Sequence, residues 1–170
     1  KTGIYKVMEH LIAMGHKRIA MIGWYVGITS SDDRFRGYVD ALEDHHIPYD
    51  ETLVKESRNL PEDGYSATAD LMTLNHPPTA IVASSDTIAI GTLRYLSQYG
   101  LKVAVTGFDN IPTAEFHNPP LTTIRQPLKK SAALLVKLLF NTIQNKNANS
   151  KNYLLSPELV IRESSLVKLK

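Results

Sequence analysis

The chain has 170 residues, 43% hydrophobic and 21% charged, with no cysteine and a net charge of +2 from 19 Lys+Arg and 17 Asp+Glu. Length and balance predict about one globular domain with a real core. They exclude long disorder, collagen-like repeats, a membrane bundle, disulfides and cysteine-based zinc sites, and the near-neutral charge argues against strong DNA binding by these residues.

Ile4, Val7, Met8 and Leu11 recur as the stripe of an amphipathic helix running to Met14, which Gly15 ends. Arg18 to Ile22 reads as a buried strand stopped by Gly23. Ser30, Ser31 or Asp32 caps a second helix with Phe35, Tyr38, Val39 and Leu42 on one face. Leu53 to Glu56 is a weaker strand. Pro61-Glu62-Asp63 opens a third helix, with Tyr65, Ala69 and Met72 sharing a face. Thr79 to Ala83 is a strand without polar alternation, as in a sheet covered on both faces. A helix follows from Thr87 to Tyr99, then a strand from Val103 to Gly107 and a long helix from Leu128 to Gln144. Gln144 to Asn152 is a polar run read as a surface loop, and Pro157 to Arg162 is a last strand, an edge candidate. The most apolar stretch, Ala132 to Phe140, is broken by Lys137 and is too short to span a bilayer.

Apolar strands alternating with amphipathic helices predict a parallel α/β sheet sandwiched by helices. Ligands in such sheets bind beyond the carboxyl ends of the strands. Three loops qualify: Gly23 to Asp33, Ser84 to Asp86 and Gly107 to Asn110.

Catalytic motifs are missing from these loops. The chain has no G-x-S-x-G elbow, Walker loop, G-x-G-x-x-G or H-E-x-x-H. None of its six histidines pairs at i, i+4, so no helical metal site is expected. No catalytic residues, metal or cofactor are therefore expected. The loops suit a small hydroxylated ligand instead. Arg34 can fork two hydrogen bonds, Asp109 can accept from adjacent hydroxyls, Ser85 and Asp86 add small polar groups, and Trp24 and Tyr65 offer aromatic faces. Competing roles stay open: Asp86 as an N-cap, Asp109 as a turn residue, Tyr65 as core, and Arg34 in a solvated cluster with Arg36 as the working arginine.

In order along the chain, several segments resemble the effector domain of the lactose-repressor/galactose-repressor (LacI/GalR) family of bacterial transcription regulators. They are Gly15-His16-Lys17-Arg18-Ile19-Ala20, Arg34-Phe35-Arg36-Gly37-Tyr38, Ser85-Asp86, Thr106-Gly107-Phe108-Asp109-Asn110, Pro119 to Pro127, and Pro157 to Ser165. The Pro-Pro-Leu-Thr-Thr-Ile-Arg-Gln-Pro string is the most specific. One departure is a short junction, where Val103 runs straight into Ala104.

The resemblance implies a periplasmic-binding-protein-like (type I) C-terminal subdomain, residues 16–125 plus 153–165, with residues 1–15 and 126–152 as pieces of the other subdomain. The chain opens without Met and is read as part of a longer protein whose helix-turn-helix lies upstream. The resemblance further implies a cytoplasmic homodimeric regulator and not an enzyme. Its effector would be a sugar or polyol, with a purine or nucleoside as alternative, and its operator DNA would be bound through that absent domain. Arg34 and Asp109 match effector-contacting positions, Tyr65 an aromatic that packs on the effector ring, and Ser85 a variable pocket position. A two-fold interface is expected on the helix from Thr87, through Ala89, Leu93 and Leu96, with Leu71, Phe116 and His117. An extracellular sugar-binding protein of the same fold and a small α/β enzyme are the competing classes.

Overall fold

The computed structural model describes residues 1–25, 27–144 and 152–167, so most of the polar run after Gln144 lies outside the described residues. Strands β1 (Ile19–Trp24), β2 (Val54–Glu56), β3 (Ala80–Ala83) and β4 (Ala104–Thr106) form a parallel sheet in the order β2-β1-β3-β4. Successive strand residues point to opposite faces, so each strand feeds two cores. Ile19, Met21, Val82 and Ala104 pack with helices α1 (Thr2–Ala13) and α2 (Thr29–Asp44). Ala20, Ile22, Ile81 and Val105 pack with α3 (Pro61–Met72) and α4 (Asp86–Gln98). The result is a three-layer sandwich, which is why these strands read as uninterrupted apolar runs.

Helix α1, expected as a piece of the other subdomain, instead has its stripe of Ile4, Val7, Met8 and Leu11 fully buried in this sheet's own core. A four-residue apolar stripe needs a surface to cover it, and α2 and β3 supply much of that surface.

Helices α3 and α4 meet backbone to backbone. A Cβ on Gly91 would stand 1.8 Å from the Pro61 carbonyl oxygen, and one on Gly64 would stand 2.2 Å from that of Ile88. The Thr68 hydroxyl donates to the Gly64 carbonyl at 2.6 Å and lies 3.1 Å from the Thr92 hydroxyl, so the buried polar groups at the crossing have partners. This contact fixes the rotation of both helices. The buried face of α3 is Gly64, Ala67, Thr68 and Leu71, not the expected Tyr65, Ala69 and Met72.

The Leu-Thr-Thr-Ile-Arg segment holds a strand that the sequence did not announce, β5 (Thr123–Arg125). It pairs antiparallel with β6 (Glu158–Val160), so the last strand belongs to a separate ribbon. Ser164 clamps that ribbon to the sheet, accepting from the Thr122 amide at 2.8 Å and donating to the Val105 carbonyl at 2.7 Å. Helix α5 (Leu128–Ile143) has no buried residue, and Leu135, Leu139, Phe140 and Ile143 are exposed. No described helix is long and apolar enough to cross a membrane.

Candidate functional site

The carboxyl ends of β1, β3 and β4 converge on Arg34. Its guanidinium donates to the Ser84 carbonyl at 2.9 Å, stands 4.0 Å from Asp109 Oδ1 and lies 4.2 Å over the Phe108 ring. Burial lowers the pKa of Arg34, and the Asp109 carboxylate opposes that shift. Asp109 has φ +112°, and Asn110 beside it has φ +51°. Asx side chains tolerate this region better than most. The turn aims the Asp109 carboxylate back along the sheet edge, where Gln126 donates to it at 2.7 Å. Arg34 and Asp109 are thus brought together from α2 and the β4 loop. Arg36, the competing arginine, is exposed and makes none of these contacts.

Beside Arg34 opens a cavity of about 420 Å³, lined by Tyr25, Ser31, Arg34, Arg58, Asn59 and Ser84 among others. Its size suits a sugar-scale ligand. Gly23 is part of its lining and has φ +111°, and a Cβ there would stand 2.0 Å from Ser84 Oγ. Ser31, expected as a helix cap, instead accepts from the Tyr25 amide at 2.7 Å and so holds the loop after β1.

The other nominated residues take different places. Trp24 stacks on Phe35 with ring centroids 4.1 Å apart, and its indole N–H donates to Asp32 at 3.1 Å. Its neighbour Tyr25 lines the cavity instead. Ser85 caps α4, accepting from the Ile88 amide at 3.3 Å and donating to Asn59. Asp86 is neither cap nor exposed. It accepts from the Ile111 amide at 2.8 Å and the Thr123 hydroxyl at 2.5 Å, and burial raises its pKa against those bonds. Tyr65 lies in a different hollow with Pro61, Ile90 and Arg94, its hydroxyl donating to Gln98 at 3.0 Å.

Most of the expected interface is also corrected. Leu71 and Ala89 are fully buried, and Leu93 and Leu96 are 6% and 3% exposed, all within one core. They face the sheet because the Gly64–Gly91 crossing turns them inward. Phe116, 80% exposed, and His117, partly exposed, remain at the surface.

Sequence reasoning missed Arg58, Asn59 and Gln126. The first two follow β2, a strand too weakly marked for its loop to be counted. Gln126 lies inside the Thr-Thr-Ile-Arg-Gln-Pro string, which carried a resemblance but no assigned role. Among the described residues, no group of three or more His, Asp or Glu is placed to hold a metal ion.

A model of the periplasmic binding protein-like domain matches residues 8–165. The chain belongs to the periplasmic binding protein-like family. Its relatives there are LacI-type regulators. It is 34% identical over 168 residues to the HTH-type transcriptional repressor PurR of Actinobacillus pleuropneumoniae serotype 5b, covering 95% of this chain and 50% of the repressor. It superposes on a regulatory protein of the LacI family from Chloroflexus aggregans with TM-score 0.92 and 31% identity, over 96% of this chain and 60% of that one. A LacI family transcriptional regulator from Enterococcus faecium, solved with bound ribose, matches at TM-score 0.88 and 29% identity, over 99% of this chain and 64% of that one. The chain spans about half the length of the repressors it matches.

Proposed function

We propose that this chain is the effector-sensing, C-terminal part of a LacI/GalR-type transcription regulator.

 Its ligand is a small hydroxylated molecule, a sugar or related polyol, seated at the carboxyl edge of the sheet against Arg34 and Asp109. The observation that carries this reading is the Arg34–Asp109 pair, 4.0 Å apart beside a sugar-sized cavity. A forked donor and a carboxylate acceptor set side by side match adjacent hydroxyls. The bound ribose of the Enterococcus faecium regulator supports the same ligand class.

The exposed apolar face of α5 supports a second subdomain that covers it and closes the cleft from the other side. Ligand held between the two favours the closed arrangement through its greater affinity for it, which resets operator DNA binding by an upstream domain. Such a regulator works in the cytoplasm as a homodimer. The outer face of α3 and α4, where Tyr65, Tyr95 and Tyr99 cluster, is the surface this reading assigns to the two-fold contact.

Calorimetry on the full-length protein with a panel of sugars and polyols tests the effector site. Arg34→Ala and Asp109→Ala should each weaken binding by about 2 kcal/mol, the scale of a charge-assisted hydrogen bond. Unchanged affinity in both variants would sink the assignment.

A further inference from the structure

The cavity beside Arg34 has two guanidiniums in its lining, Arg34 and Arg58, and no carboxylate. Its other polar groups are neutral, among them Tyr25, Ser31, Asn59 and Ser84. Three nearby carboxylates already have partners. Asp32 accepts from the Trp24 indole at 3.1 Å. Asp63 accepts from the Arg58 amide at 2.6 Å and the Ser57 hydroxyl at 3.2 Å. Asp109 accepts from Gln126 at 2.7 Å, and at 4.0 Å it offsets part of the Arg34 charge only. Arg58 takes part in none of the four ion pairs among the described residues.

Two like charges in one cavity raise each other's free energy, and a ligand that brings the opposite charge removes that cost. A neutral sugar satisfies hydrogen bonds but leaves Arg58 uncompensated. We infer that the effector is an anion: a small hydroxylated molecule bearing a carboxylate or phosphate group, which Arg58 engages while Arg34 and Asp109 hold its hydroxyls. The inference rests on the cavity being the effector site. Arg58 also borders the neighbouring hollow that holds Glu56, Asp63 and Asp70. An Arg58 committed to that hollow would ignore the ligand's charge, and the experiment separates the two cases.

Calorimetry on the full-length protein would compare glucuronate and glucose phosphate with glucose, their neutral parent, at low and high salt. Both or one of the anions should bind roughly tenfold tighter than glucose, with an advantage that shrinks as salt rises. The anion preferred identifies carboxylate or phosphate as the group recognised. Arg58→Gln should abolish that advantage, so that the anions bind no tighter than glucose does to the same variant, whereas Arg34→Gln should weaken all three ligands. Glucose binding as tightly as its anionic derivatives, or an Arg58→Gln variant that keeps the full preference, overturns the inference while leaving the effector site standing. Failure of all three ligands to bind overturns the site and the inference together.

Discussion

The Asp86 carboxylate, fully buried, receives the Thr123 hydroxyl at 2.5 Å on one oxygen and the Ile111 amide at 2.8 Å on the other. It thereby ties the start of α4 to β5 and to the loop that carries Asp109. Removing the carboxylate leaves the buried Thr123 hydroxyl and the half-buried Ile111 amide without their acceptor. Asp86→Ala should cost about 2–4 kcal/mol in urea unfolding. A loss below about 1 kcal/mol would mean that water or a shifted side chain replaces both bonds.

The Gly64–Gly91 crossing makes a second prediction. Gly91→Ala drives a methyl group into the Pro61 carbonyl, so α3 and α4 must separate. The expected cost is about 3 kcal/mol, the upper range for overpacking. Gly100→Ala is the control: Gly100 has φ +62° and open space around it, so only about 1 kcal/mol of backbone strain is expected. Equal losses for the two variants would refute the close approach.

His16 predicts an acid limb in stability. It is fully buried, its Nδ1 lies 3.0 Å from the Thr79 hydroxyl, and its Nε2 has no partner among the described residues. Burial lowers its pKa, and His10 lowers it further. The folded state therefore refuses a proton that the unfolded state accepts. Stability is intact above about pH 6.5 and falls as pH drops from there toward the depressed folded value, by at most about 1.4 kcal/mol per unit for one imidazole. Asp86 carries the opposite sign, since its pKa is raised and acid favours its folded form. His16→Gln should flatten the slope of unfolding free energy between pH 6.5 and 5. An unchanged slope would remove His16 as its source.

The inward turn of Leu93 and the exposure of the tyrosines separate folding from association. Leu93→Lys buries a charge in the monomer's own core and should unfold the chain rather than divide a dimer. Tyr99, 56% exposed, stands on the outer face. Tyr99→Lys should leave circular dichroism and thermal unfolding of the monomer intact while weakening association in sedimentation runs. Undiminished association would take this face out of the proposed interface.

Helical and strand periodicities settled the layers of this protein. The stripe Ile4, Val7, Met8 and Leu11 and the apolar runs of β1, β3 and β4 are set by local spacing, and each is buried as that spacing requires. The sheet edge bearing Arg34 and Asp109 was legible too, because parallel topology fixes where strand-following loops gather. The rotation of α4 was not legible. That helix is apolar on more than one side, so its sequence alone does not say whether Leu93 or Tyr95 meets the sheet. The close approach of Gly64 to Ile88 and of Gly91 to Pro61 decides it, and with it the exile of Tyr65 from the ligand cavity. Nor did local pattern reveal the internal role of Asp86, whose partners Ile111 and Thr123 lie 25 and 37 residues away. Arg58 and Asn59 join the cavity only because β2 pairs beside β1, a long-range choice that a three-residue strand scarcely records in its own residues.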